Sequence, residues 1–239
     1  MNFEPGEIVM PGDVLVDLDI TPSESRFIIG PGLRREDNKI LASKSGILQK
    51  KEPHIFWVNS KERRYVPVRG DAIIGIIIQK GADTYRVDIG ASEPASLSVL
   101  AFEGATKKTK PILQIGDLVY ARLLVANKDM EPELVCMDSA GRKRGLGPLE
   151  EGFLITLPLH TARRLLSSDW PLLHLLGREI SYEAAVGLNG RVWIKGRTIK
   201  DTLAVATALE TSSECRSESE MRCLVERILA CRAGVAQED

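Results

Sequence analysis

Three times in 239 residues the pair Gly-Asp leads straight into an apolar, β-rich run. Gly12-Asp13 precedes VLVDLDI, Gly70-Asp71 precedes AIIGIIIQ, and Gly116-Asp117 precedes LVYARLLVA. Glycine tolerates positive φ and aspartate bonds its own backbone, so each pair reads as a tight turn that feeds a strand. The three are unequally spaced, which makes them a recurring turn device rather than a solenoid repeat. The Arg69-Gly70-Asp71 triplet belongs to the second of these turns, not to a cell-adhesion motif. A chain punctuated this way is committed to short strands over more than half its length.

Residues 1–61 read as a β-rich N-terminal domain, with Gly30-Pro31-Gly32 where the chain must reverse sharply. Residues 62–142 carry five candidate strands, at 72–79, 84–89, 97–102, 117–126 and 133–138. Five short strands over such a span suit a small closed barrel of the OB type. Between the third and fourth lies Thr106-Lys107-Lys108-Thr109-Lys110, the densest run of uncompensated positive charge in the barrel. OB barrels hold single strands with a basic groove and aromatic platforms. Tyr85 and Phe102 are the aromatic side chains available, each either a platform or part of the core. The residues proposed for RNA are Lys107, Lys108 and Lys110 for phosphates, with Lys80 and Tyr85 from the adjacent loop and strand.

From about residue 150 the pattern changes. FLITL at 153–157 reads as a strand, Thr161 as the N-cap of a helix ARRLLSS, and Asp169 as the cap of a second helix, WPLLHLLG, ended by Gly177. Strands follow over 180–186 and 191–195. Thr198 then opens a long helix whose apolar positions are Ile199, Leu203, Ala206 and Leu209. The order β-α-α-β-β-α over 150–212 is that of a type I KH domain, with 213–239 as a partly helical C-terminal tail. In KH domains a G-x-x-G loop clamps the nucleic-acid backbone. The clamp belongs between the first two helices, where this chain has Leu166-Ser167-Ser168-Asp169-Trp170, with no glycine pair and with an acid that repels phosphate. Its G-x-x-G, Gly187-Leu188-Asn189-Gly190, lies between the last two strands instead. Asn189-Gly190 there suits a two-residue type I′ hairpin, with both residues at positive φ. Gly187 permits close backbone approach, and Trp193 on the next strand is expected to lock the domain against the barrel.

Composition sets the limits on function. A formal net charge of −1 excludes a polycation, so nucleic-acid contact must come from a local patch or a partner. The N-terminus lacks the basic and apolar regions of a signal peptide, and no run approaches a membrane span. Cys136, Cys215, Cys223 and Cys231 form no C-x-x-C and are expected as reduced thiols. There is no P-loop motif, no G-x-S-x-G and no H-E-x-x-H, and His54, His160 and His174 are scattered. Asp129 and Glu131 read as part of a strand-to-strand loop rather than a metal-binding carboxylate pair. No catalytic residue, metal or cofactor is expected.

A β-rich N-terminal domain, an S1-type barrel and a KH domain with a displaced G-x-N-G hairpin together resemble the RNA-binding cap subunits of the eukaryotic RNA exosome. The likeness is carried by FIIGPGLR at 27–34, RYVPVRGDAIIGII at 64–77, SEPASLSVLAFEGATKK at 92–108, VANKDMEPELVCMD at 125–138 and GLNGRVWIK at 187–195. It implies a mainly β protein with an α+β C-terminal domain and no catalysis of its own. It also implies RNase PH-like ring subunits and other cap subunits as partners, with single-stranded RNA guided to a separate nuclease. It places the hairpin buried between the S1 and KH domains. Residence in nucleus, nucleolus and cytoplasm follows from the resemblance alone. The competing class, a free-standing S1/KH factor in translation or RNA chaperoning, would need RNA affinity of its own.

Overall fold

All three Gly-Asp pairs close the same turn. The Asp N–H donates to the carbonyl three residues earlier, that of Met10, Val68 and Gln114, at 3.1, 3.2 and 3.2 Å. Gly12, Gly70 and Gly116 sit at φ +98°, +93° and +98°, the conformation a type II turn requires at its third position. Asp13 and Asp117 also accept the N–H of Met10 and Gln114, at 2.8 and 2.7 Å. Asp71 instead accepts the Tyr65 hydroxyl at 2.7 Å.

The computed structural model describes residues 4–17, 28–52, 54–106, 109, 111–127, 129–138, 140–167, 170–213, 215 and 217–233. The chain forms two compact units, Met1–Glu62 and Arg63–Asp239. Among its described residues the first holds seven short strands: β1 (Ile8–Val9), β2 (Val14–Asp17), β3 (Ile28–Ile29), β4 (Leu33–Glu36), β5 (Lys39–Ala42), β6 (Gly46–Lys51) and β7 (Ile55–Asn59). They make two sheets, ordered β1-β6-β7-β3 and β2-β5-β4, around a core of Val9, Leu15, Val16, Ile40, Ala42, Leu48 and Val58.

The second unit begins with β8 (Ala72–Lys80), β9 (Thr84–Asp88), β10 (Ala95–Phe102), β11 (Leu118–Asn127) and β12 (Met130–Cys136). β8 pairs with β9, β9 with β10, β10 in parallel with β12, β12 with β11, and β11 with β8. The ring of five is closed through the β11–β12 pairing, which leaves the start of β11 without a partner from the ring on that side. Period-two alternation fills it: along β9, Tyr85 and Val87 are buried while Thr84 and Arg86 are exposed. The segment after the fifth strand continues the barrel, because β13 (Gly147–Leu149) pairs with β11 from Leu118↔Leu149 to Tyr120↔Gly147. Arg142 and Arg144 in that segment are tied to Asp138, and the Lys143 N–H to Glu103.

The remainder runs β14 (Phe153–Thr156), α1 (Leu159–Leu165), α2 (Leu172–Glu179), β15 (Tyr182–Val186), β16 (Arg191–Gly196), α3 (Ile199–Thr211) and α4 (Glu218–Ala233). The sheet order is β14-β16-β15, antiparallel throughout. Thr198 caps α3, its hydroxyl accepting the Asp201 N–H at 3.1 Å. The other expected boundaries move. Pro158, φ −55°, precedes α1, so Thr161 lies inside the first turn and is buried rather than capping. Gly177 falls within α2, which runs on to Glu179, and Asp169 lies outside the described residues.

Two differences concern the core. The apolar stripe expected on α3 is rotated: Val205, Ala206, Ala208 and Leu209 are buried, whereas Ile199 and Leu203 are 80% and 52% exposed. The segment expected as a tail supplies α4, whose Met221, Leu224, Val225 and Ile228 enter the same core as Ile155, Leu176, Ile194 and Leu209. Their spacing, i, i+3, i+4 and i+7, is that of one helix face. Packing α4 against α3 and α2 selects which face of α3 turns inward. Leu224→Ala should therefore destabilise the Arg63–Asp239 unit by about 2–5 kcal/mol, as a buried Leu does elsewhere. Urea unfolding of the full chain reads this directly, and an unchanged midpoint would contradict a packed α4.

Candidate nucleic-acid interface

The hairpin between β15 and β16 is a three-residue loop. Gly187 N–H donates to the Arg191 carbonyl at 2.8 Å, and Gly190 N–H to the Gly187 carbonyl at 3.0 Å. Gly190 alone takes positive φ, at +83°, and Asn189 is not among the non-glycine residues at positive φ. The expected two-residue type I′ turn is thus replaced by the next commonest hairpin, a turn followed by a glycine in the left-handed region. The difference frees the Asn189 side chain from local bonding.

That side chain is buried, 6% exposed, and satisfies the barrel's backbone. Its Nδ2 donates to the carbonyls of Ile74 and Ile89 at 2.8 and 3.0 Å, and its Oδ1 accepts the Ile74 N–H at 3.3 Å. Leu188 N–H donates to the Ala72 carbonyl at 2.9 Å. Arg191 donates to the carbonyls of Ile74 and Asp88, at 3.3 and 2.6 Å, and pairs with the Asp88 carboxylate. Burial raises the Asp88 carboxyl, but hydrogen bonds from the Gly90 N–H and from Arg191 outweigh it and hold the group below its ordinary value. Leu159 and Leu188 add apolar contact with the barrel core.

The glycines of the motif are set by close approach. A Cβ on Gly190 would lie 2.5 Å from the Leu157 carbonyl, and one on Gly187 would lie 2.8 Å from the Ile74 nitrogen. Trp193, 6% exposed, stands between Leu154 and Ala185 on the middle strand. Its indole fills the space where Gly152 has no Cβ. Trp193 also borders a groove of about 680 Å³ with Tyr120, Pro148 and Val186.

The barrel's candidate RNA residues separate. Lys107, Lys108 and Lys110 lie outside the described residues. Lys80 is exposed at the end of β8 and is the register partner of Tyr85. Tyr85 itself is not a stacking platform: it is 1% exposed, because the alternation along β9 gives it the inward face it shares with Val87. Its hydroxyl donates to the Pro111 carbonyl at 3.0 Å and accepts the Leu113 N–H at 3.4 Å. It therefore pins the segment that follows the lysines. Phe102 is likewise core, at 7%. At the near end of that loop, Thr106 N–H donates to the Thr109 carbonyl, and the Thr109 N–H to the Thr106 hydroxyl. Among the described residues, no group of three His, Cys, Asp or Glu side chains is placed to hold a metal ion, and no helix is long and apolar enough to cross a membrane.

The connection between α1 and α2 is held from within the fold. The Arg164 guanidinium lies 3.5 Å from the Trp170 ring centroid, and its Nη2 donates to the Cys215 carbonyl at 3.2 Å.

Comparison with known proteins agrees with this architecture segment by segment. The family described as "Mammalian exosome complex component RRP40, N-terminal" matches residues 7–61, "Exosome complex component RRP40, S1 domain" matches 65–147, and a KH domain family matches 152–200. Exosome complex component RRP40 of Drosophila melanogaster is 50% identical over 202 residues, covering 84% of this chain and 87% of that protein. The chain belongs to the RRP40 family of exosome complex components. RRP40 is the subunit also named exosome component 3. The Homo sapiens RRP40 is 46% identical, covering 82% of this chain and 74% of that one. The Saccharomyces cerevisiae RRP40 is 37% identical, covering 89% and 90%. A crystal structure described as an exosome complex RNA-binding protein superposes with a TM-score of 0.61 at 23% identity, over 73% of this chain and all of that one, and shares the fold.

Two outcomes follow for the RRP40-type junction. Asn189→Ala should lower stability by about 2–5 kcal/mol, since it leaves several buried backbone groups without their partner. Gly190→Val should be at least as damaging, because a β-branched residue resists positive φ. Thermal melts showing wild-type Tm for both would overturn the lock. The Asp88–Arg191 pair also gives a pH dependence. A folded carboxyl held below its unfolded value stabilises above about pH 4 and loses that contribution as pH falls through the folded value. Wild type should therefore lose stability below about pH 4 more steeply than Asp88→Asn.

Proposed function

We propose that this chain is a non-catalytic, RNA-binding cap subunit of the exosome, seated on RNase PH-like ring subunits beside other cap subunits. In this reading it stabilises the ring and guides single-stranded RNA toward a separate 3′-to-5′ nuclease. The observation that carries the proposal is the order of RRP40 N-terminal, RRP40 S1 and KH domain matches along the chain, with 50% identity to an RRP40 over 84% of the chain. Residence in nucleus, nucleolus and cytoplasm is part of the same proposal.

The junction supports a scaffolding role. The only G-x-x-G in the sequence is spent on the barrel, and the α1–α2 connection carries no glycine pair. RNA contact then falls to the barrel loop between Thr106 and Pro111, with Lys80 at the same end, and Tyr85 acts by holding that loop. A net charge of −1 gives the isolated chain weak steering toward a polyanion.

Native mass and subunit identification of the tagged chain, purified gently from its own cells, tests the assembly. A stable multi-subunit ring with a nuclease is expected; recovery alone, or only on ribosomes, would refute it. Within the purified complex, Lys107, Lys108 and Lys110 changed together to Ala should weaken RNA capture and flatten its salt dependence. Each lost phosphate contact on a single strand reduces the log–log slope by about 0.7. An unchanged slope would take the loop off the RNA path.

A further inference from the structure

The rotation of α3 leaves one flank of its apolar stripe outside the core. Val205, Ala206, Ala208 and Leu209 fill the core, while Ile199 and Leu203, one turn apart, face solvent. An exposed apolar flank that continues a groove marks a contact surface. Leu203 is not isolated. With Ala204, Leu224 and Ile228 it lines a groove of about 510 Å³ along the α3–α4 seam, bordered also by Lys200, Thr207, Thr211, Arg227 and Cys231.

The charge on this groove has one sign. Lys200 and Arg227 are its only ionised borders. Both are exposed, and neither has a hydrogen bond or carboxylate partner among the described residues. By contrast, Arg222 on the same helix pairs with Glu218, and Lys195 with Glu151. A furrow between two packed helices accepts the ridge of a third, and the flanking cations select the charge beside that ridge.

We propose that the α3–α4 groove docks an acidic amphipathic helix of a protein partner, with its apolar ridge on Leu203 and Ala204 above the buried Leu224 and Ile228, and its carboxylates on Lys200 and Arg227. This is the helix-in-groove mode of recognition, with charge fixing register and partner choice. The site is separate from the barrel loop assigned to RNA, and neither reading depends on the other.

The test places a photo-reactive benzoylphenylalanine at Thr207 in the full chain, within the complex purified from its own cells, and sequences the crosslinked segment. The expected product is a protein segment with apolar residues at helical spacing and flanking Asp or Glu. Lys200→Glu with Arg227→Glu should cut its yield about tenfold or more, and reversing the partner's acids should restore it. Both side chains are exposed, so an unchanged Tm for the double variant separates lost docking from lost folding. Crosslinks to RNA, to a second copy of this chain or to a segment without acids would each overturn the proposal. So would no crosslink, or a yield indifferent to both charges.

Discussion

Covering the end of a β-barrel with another domain creates a problem of backbone satisfaction, and the Asn189 carboxamide solves it. The strands that meet the KH-like domain present the N–H and C=O of Ile74 and the C=O of Ile89, which lose access to water once covered. Leaving such groups unpaired costs about 1–3 kcal/mol each. A carboxamide is the smallest side chain that offers two donors and an acceptor in one plane, and Asn189 uses all three. Apolar contact from Leu159 and Leu188 gives burial but no register, because it is non-directional. The hydrogen bonds set the register, and Arg191 repeats the device one strand position on.

Barrel and KH-like domain consequently behave as one body, and their division by sequence pattern is a division of origin rather than of packing. The segment between them is structured from both ends, by β13 on the barrel edge and by the Asp138 turn. With the motif glycines committed to the junction, little in the KH-like part is free to clamp a phosphate backbone. In the proposed reading it serves as a buttress, with α4 packed against α2 and α3.

What the sequence disclosed follows from how local each signal is. The Gly-Asp turns, the five barrel strands and the β-α-α-β-β-α order depend on residues close in sequence, and they were legible. Asn189 was read correctly as a hairpin residue and wrongly as one at positive φ, because the partner that pulls its side chain outward lies 115 residues away. Tyr85 is the same kind of case. From sequence it is expected among the RNA contacts, although alternation with Val87 gives its ring the inward face, and its role in pinning Pro111 and Leu113 appears only once the barrel closes. On α3 the spacing of Ile199, Leu203, Ala206 and Leu209 is helical, yet so is that of Val205, Ala206, Ala208 and Leu209. Periodicity cannot choose between two overlapping apolar sets. α4 chooses, and its own signal at Met221, Leu224, Val225 and Ile228 was present but masked by the polar run before it.

A rigid buttress suits weak individual contacts. In the proposed reading an isolated subunit with net charge −1 and one short basic run offers few phosphate contacts, whereas tight binding by counterion release needs many. Several such loops held at fixed positions around an opening act together, because each bound segment raises the local concentration of the next. That gain is lost if the loops sway independently, since simultaneous engagement is then geometrically rare. Anchoring Pro111 and Leu113 through Tyr85, the barrel through closure, and the barrel's orientation through Asn189 and Arg191 reduces that freedom in three steps. On this argument the bonds least visible to RNA, those buried at the junction, have the most to do with how well the proposed assembly would capture it.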